Sequence, residues 1–211
     1  MDNPIFLIFQ LAILLMSVVI HEFSHGWMAY QLGDSTAKDY GRLTLNPIKH
    51  LDPWGSLIVP LTVYVLSYGR AVFGWAKPVP YNPYNLRDQR YGSAKVAIAG
   101  PSANLLVALV FGLVVRFMPM NSLMLVNLAQ LFSFIVLINI VLAIFNLVPI
   151  PPLDGSKILF TFLPRSADKV RIFLERYGMV ILFLFIFFAF DLILPIVLGL
   201  FKLIVGKGIA L

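Results

Sequence analysis

The longest apolar runs of this chain decide what it can fold into. They are Ile5–Ile20, Leu105–Val115, Leu123–Val148 and Met179–Phe190. A helix crosses the hydrocarbon core of a bilayer with roughly 20 mostly apolar residues. The whole chain is 60% hydrophobic and 12% charged, where a soluble domain carries about 45–50% apolar and about 25% charged residues. Together these features imply an all-α integral membrane protein, a polytopic helical bundle of about four to six membrane segments.

A first helix is expected from about Pro4 to Tyr30. Met1–Pro4 has no Lys or Arg and no small-residue cleavage site follows, so the segment reads as a retained span rather than a signal peptide. Gln31–Pro53 is polar, with Gly33, Asp34, Gly41, Asn46 and Pro47 as turn formers. Trp54–Phe73 is apolar but interrupted by Gly55, Pro60 and Gly69, which predicts a re-entrant or hairpin insertion after the first helix. Gly74–Arg90, with Pro78, Pro80 and Pro83, predicts extended chain or a hairpin. Tyr91–Met118 and Ser122–Val148 predict two further spans. Gly155–Leu163 predicts a short helix at most, and Tyr177–Val205 a last membrane stretch broken by Asp191 and Pro195. With no repeat and no soluble appendage, residues 1–211 read as one membrane domain. Its core lies at about 4–165 and its C-terminal membrane segment at about 175–206.

The net charge of +6 does not indicate nucleic acid. The basic residues lie in loops between apolar runs, where the positive-inside rule accounts for them. Cysteine is absent, which excludes disulfides and thiolate metal sites. A metal ion would have to be held by His, Asp or Glu, and the histidines are His21, His25 and His50.

Two of these stand in His21-Glu22-Phe23-Ser24-His25, the pattern H-E-x-x-H. On a helix, residues four apart share a face at about 6 Å. Two imidazoles so placed can hold one zinc ion, while the intervening glutamate serves as general base toward a water. At 1.5 Å per residue Ile5–Ile20 covers about 24 Å, which puts His21 near the far edge of the hydrocarbon core. Ionisable groups there are costly and are functional candidates by default. A catalytic zinc takes three protein ligands. Candidates for the third are His50, Asp52, Asp154 and Asp191, with Asp34 and Glu175 behind them. Asp154 follows Pro149, Pro151 and Pro152, which deny the chain helical hydrogen bonds and let it turn sharply. The plain alternative is a helix stop with Asp154 as a solvated cap.

Three elements carry a family resemblance: His21-Glu22-x-x-His25, Ala99-Gly100-Pro101-Ser102-Ala103-Asn104, and Asn146-x-x-Pro149-x-Pro151-Pro152-Leu153-Asp154-Gly155. In this order they resemble the site-2 protease family of intramembrane zinc metalloproteases. Gly41-Arg42-Leu43-Thr44-Leu45-Asn46-Pro47 and Gly74-Trp75-Ala76-Lys77-Pro78-Val79-Pro80 resemble its short subgroup, which lacks PDZ or other soluble domains. The resemblance implies one zinc ion held by His21, His25 and Asp154, with Glu22 as catalytic base. It implies Asn146 as the group that stabilises the oxyanion or the substrate carbonyl. Asn104 matches a family asparagine and is grouped here with the substrate-binding residues. The expected substrates are transmembrane segments, as in regulated intramembrane proteolysis, or leftover signal peptides.

A shared zinc also constrains topology. His25 lies toward the C-terminal end of the first helix, and Asp154 just past the end of the fourth segment. Both must face one side, so Gln31–Arg90 must cross the membrane an even number of times. Placing Gln31–Lys95 with Pro149–Arg176 gathers thirteen of the sixteen Lys and Arg residues, leaving Arg116, Lys202 and Lys207 opposite. The rule then predicts a multi-pass protein of the cell membrane whose active site opens toward the cytoplasm. Gly74, Trp75, Ala76, Lys77 and Pro78 would hold an unwound substrate segment by β-augmentation; the plain reading is a proline-rich connector. Two rival functions remain. One is a metal-binding membrane transporter or sensor, with Glu22 as a ligand. The other is an inactive relative that binds membrane segments without cutting them.

Overall fold

The computed structural model describes residues 4–59, 62, 65 and 77–206. Helix α1 spans Pro4–Gln31, α2 Gly92–Phe117 and α3 Leu123–Asn146. Each is long and apolar enough to cross a membrane. In lipid the backbone must satisfy its own hydrogen bonds, so apolar runs of this length become helices. Ser122 caps α3, its Oγ accepting from Leu125 N at 3.3 Å, and α3 ends at Asn146, ahead of Pro149. The short α4, Asp154–Phe162, follows the proline-rich turn. Helices α5, Asp168–Phe188, and α6, Leu194–Val205, complete the order. They qualify as a membrane crossing only together, as a pair bent by 70°. The break falls where Asp191 and Pro195 interrupt the apolar stretch. Among the described residues there is no strand, and the protein is an all-α, multi-pass membrane protein.

Helices α1, α2 and α3 pack against one another, and α6 packs on α2 and α3. The core joins Ala108 and Val115 of α2, Ala129, Val136 and Ile140 of α3, and Val197, Phe201 and Val205 of α6. Leu106, Val110 and Leu113 of α2 turn outward, the expected orientation for a face against lipid tails. Arg116 Nη1 donates to Leu203 O at 2.9 Å, so α6 ends beside the end of α2. Helix α5 starts on the side of Asp154, and α6 finishes on the opposite side.

Between α1 and α2 the chain forms short turns at Thr36–Asp39, Pro47–His50, Pro53–Ile58 and Pro83–Asn85. Its two arms are tied together. Arg87 N donates to Leu32 O at 2.8 Å, and Lys77 N to His50 O at 2.9 Å. A chain that crossed once between His50 and Lys77 would separate them by about 30 Å of hydrocarbon. The bond between them keeps the two arms on one side of the bundle. Of the expected Trp54–Phe73 insertion, the described part begins as the helical turn Pro53–Ile58; most of the remainder lies outside the described residues.

Asp34 locks the two arms. It is fully buried, and it accepts from Thr36 N and Oγ1, from Asn82 N at 2.7 Å and from Asn85 Nδ2 at 3.0 Å. Burial opposes its charge, but the hydrogen bonds from Thr36, Asn85 and Asn82 outweigh it and hold the carboxyl below its ordinary range. A depressed folded-state value stabilises the fold above the unfolded value of about 3.9 and is lost as pH falls through the folded one. Asp34→Ala is expected to lower stability by about 1.5–3 kcal/mol near neutral pH. Thermal unfolding against pH should show that gap closing in acid. Single cysteines replacing Lys38, Lys77 and Lys157 should be labelled from one side of sealed vesicles, and a cysteine replacing Asn121 from the other. Labelling of positions 38 and 77 from opposite sides would contradict the even crossing.

Candidate metal centre

Helix α1 does not stop at its polar motif. It continues roughly 15 Å past His21 to Gln31, inside the apolar span Ile8–Gln31. His21 and His25 thus both stand inside one unbroken helix.

His21, His25 and Asp154 come together from α1 and the first residue of α4, and all three are buried. Their ligand-type atoms lie within 4.8 Å of one another. Asp154 Oδ2 is 3.0 Å from His21 Nε2 and 2.9 Å from His25 Nε2. The imidazoles meet edge to face, with centroids 4.6 Å apart. The other carboxylate oxygen, Oδ1, accepts from Lys157 Nζ at 3.2 Å. Behind the rings, His25 Nδ1 donates to Val96 O at 2.7 Å, and His21 Nδ1 is 2.6 Å from Asn104 Oδ1. A carbonyl only accepts, so His25 carries a ring proton on Nδ1, and Nε2 is the nitrogen that faces Asp154 and would hold a metal ion.

The residues fit a metal ion. Two ligands about 2.0–2.1 Å from a tetrahedral ion lie roughly 3.3 Å apart, and two imidazole nitrogens with one carboxylate oxygen form a three-ligand zinc set. Local backbone makes the convergence feasible. At Gly100 of α2 an added Cβ would lie 2.5 Å from His25 Nε2 and 2.7 Å from His21 Cε1, so only glycine leaves room for both rings. At Gly155 an added Cβ would lie 2.2 Å from Leu147 O, which shows how tightly the proline turn folds back to deliver Asp154.

Glu22 stands one residue along from His21. Its Oε2 accepts from Val79 N at 2.8 Å. Pro78 and Pro80 lack an N–H, so Val79 supplies the one amide donor of residues 78–80. Asn146 ends α3 half-buried, its Nδ2 donating to Leu142 O at 2.9 Å. The other third-ligand candidates stand apart from the cluster. His50 is buried with Nε2 on Thr44 O at 2.8 Å, and Asp52 caps a turn by accepting from Gly55 N. Glu175 pairs with Arg171, Asp34 ties the arms, and Asp191 is exposed.

Asn104, Lys77 and Pro78, expected to contact substrate, have these surroundings in the structure. Asn104 is fully buried, and both ends of its amide are occupied within the protein: Nδ2 donates to Ser17 O and Asn139 Oδ1, and Oδ1 faces His21. Lys77 and Pro78 belong to an exposed, irregular stretch and not to a strand. Lys77 N–H goes to His50 and Val79 N–H to Glu22. No N–H of residues 77–80 remains for an incoming strand. Gly74, Trp75 and Ala76 lie outside the described residues. The sequence reasoning passed over Ser17 and Asn139 as site neighbours, although an Asn inside an apolar span is itself a signal. The Val96 carbonyl leaves no side-chain trace at all.

Two buried histidines and an aspartate, with a glutamate on the same helical turn inside a multi-pass bundle, define a metallopeptidase of the membrane. Residues 120–189 match peptidase family M50. Over 173 residues the chain is 40% identical to the "Putative zinc metalloprotease YwhC" of Bacillus subtilis, covering 80% of this chain and 75% of that one. Rip2 of Mycolicibacterium smegmatis, which bears the same description, is 31% identical over 79% of this chain and 62% of its own, so the match spans less than two thirds of that relative. The "Zinc metalloprotease MJ0392" of Methanocaldococcus jannaschii is 25% identical over 81% of this chain and 39% of its own. No solved structure matches. The chain belongs to peptidase family M50, the site-2 protease family of zinc metalloproteases.

Metal analysis of purified variants tests the ligand set. His21→Ala, His25→Ala and Asp154→Ala should each lose the metal, and His50→Ala should keep it. Gly100→Ala should weaken metal binding at least tenfold, although alanine favours a helix by about 1 kcal/mol over glycine. Full metal retention by Asp154→Ala would reassign the third ligand.

Proposed function

We propose that this chain is an intramembrane zinc metalloendopeptidase that hydrolyses peptide bonds in or near the transmembrane segments of other membrane proteins. The observation that carries the reading is the buried meeting of His21, His25 and Asp154 within membrane-length helices, with Glu22 beside them. Zinc held by these three residues would lower the pKa of water and polarise the scissile carbonyl.

The chain's own groups supply the rest. Glu22 accepts a proton from the attacking water and returns it to the leaving amine. Its Oε2 is held by Val79 N–H, which leaves Oε1 for the proton and fixes the carboxylate before substrate arrives. Asn146 has a second Nδ2 hydrogen beyond the one given to Leu142, and that hydrogen stabilises the oxyanion. A helical substrate hides its carbonyls in internal hydrogen bonds, so it unwinds before cleavage. The loops on the site's side carry most of the basic residues, which supports an opening toward the cytoplasm. Membrane-anchored regulators and leftover signal peptides are the substrate classes that fit such a site.

The ion-carrier reading would need Glu22 as a ligand. Its engagement by Val79 and its absence from the convergent cluster favour the peptidase. Glu22→Gln keeps the shape of the side chain and removes the base. Reconstituted with a single-pass substrate carrying a helix-breaking residue, this variant should keep its zinc and cleave roughly 10²–10⁴-fold more slowly. Equal cleavage by the parent and the variant would rule out the mechanism, and loss of zinc would make Glu22 a ligand.

A further inference from the structure

Behind His21 lies a buried chain of amides that reaches across three helices. Ser17 and His21 belong to α1, Asn104 to α2, and Ile135 and Asn139 to α3. Asn139 Nδ2 donates to Ile135 O at 2.9 Å and to Ser17 Oγ at 2.9 Å. Asn139 Oδ1 accepts from Asn104 Nδ2 at 2.8 Å, and Asn104 Nδ2 also reaches Ser17 O at 3.1 Å. Asn104 Oδ1 meets His21 Nδ1 at 2.6 Å. Asn104 and Asn139 are both fully buried and Ser17 nearly so.

The direction of every hydrogen bond in this chain follows from its two carbonyl ends. Ile135 O and Ser17 O accept and never donate. The atom of Asn139 that bonds Ile135 O is therefore its NH₂, and its oxygen faces Asn104. The atom of Asn104 that bonds Ser17 O is likewise its NH₂, and its oxygen faces His21. An oxygen without a proton confronts His21 Nδ1, so that nitrogen carries the ring hydrogen. Nε2, beside Asp154, is then the nitrogen that would hold a metal ion. Turning either amide over would set NH₂ against a donor or oxygen against a carbonyl. His25 needs no such chain, because Val96 O imposes the same tautomer directly.

We propose that Asn104 and Asn139 are positioning residues for the metal centre. Asn139, which touches no metal ligand, sets the affinity of the site through Asn104 by holding His21 in its Nδ1–H form. This deepens the zinc assignment above and rests on it. Partners of this kind typically change metal affinity 10–100-fold when removed. The coupling is directional: Asn139 acts only through Asn104, so its effect disappears once Asn104 is gone.

The experiment measures zinc affinity of the purified full-length chain in detergent, by competition with a chromophoric chelator. The proteins are the parent, Asn104→Leu, Asn139→Leu, the double variant and His21→Ala. Thermal unfolding without metal checks each fold, and the visible spectrum of the cobalt-loaded form reports ligand geometry. Asn104→Leu should bind zinc 10–100-fold more weakly, and Asn139→Leu should bind it measurably more weakly with an altered cobalt spectrum. The double variant should lie within about twofold of Asn104→Leu. Should Asn139→Leu fail to fold, Asn139→Ala, which adds no bulk, takes its place with the same expectations. Parent-like affinity in the Asn139 variant, or a loss that multiplies with that of Asn104→Leu, would overturn the relay. If His21→Ala binds zinc as the parent does, the zinc assignment itself fails; if His21→Ala loses zinc while Asn139→Leu does not, the relay alone fails.

Discussion

Burying polar and ionisable atoms inside an apolar bundle is tolerated only when each finds a partner, and the architecture is organised around meeting that demand at one place. His25 gives its ring hydrogen to a main-chain carbonyl of α2, and His21 faces an amide whose own partners lie on α1 and α3. Asp154 directs one oxygen at both histidines and the other at Lys157. The helices that frame the site are thereby bound to it as much as to each other. A glycine at position 100 keeps α2 close enough for its backbone to take part. The proline-rich turn after α3 brings the carboxylate to the site without a helix standing in the way.

The same demand shapes the polar arms between α1 and α2. Their hydrogen bonds converge on Asp34 and His50 within the region and on Glu22 of α1. Val79 is the junction between these arms and the catalytic helix. Its side chain is buried close to Gly26, and its amide reaches Glu22. Flanking prolines fix the backbone of this short strap, so the base is held by a rigid element and not by a mobile loop.

Much of this was legible from residues alone. Apolar length announces helices, and the i, i+4 histidines announce a shared face. The demand that His25 and Asp154 meet predicts that the two arms share one side, and Lys77 N bonds His50 O. The extent of α1 past His21 was legible too, expected to about Tyr30 and found to Gln31. The illegible parts depend on tertiary partners. For the receptive strand expected from Gly74, the amides of Lys77 and Val79 have acceptors at His50 and Glu22 that no local pattern announces. The partners of Asn104, Ser17 and Asn139, come from distant positions that no local pattern connects.

The account stands on two imidazoles and one carboxylate holding zinc within the bundle. X-ray absorption at the zinc edge of the purified protein reads that ligand set directly. The predicted spectrum fits two imidazole nitrogens at about 2.0–2.1 Å with the remaining ligands oxygen at about 2.0–2.2 Å. A spectrum requiring three imidazoles would bring His50 into the site, and one with a single imidazole or none would remove the α1 pair from it; either result would contradict the centre described here.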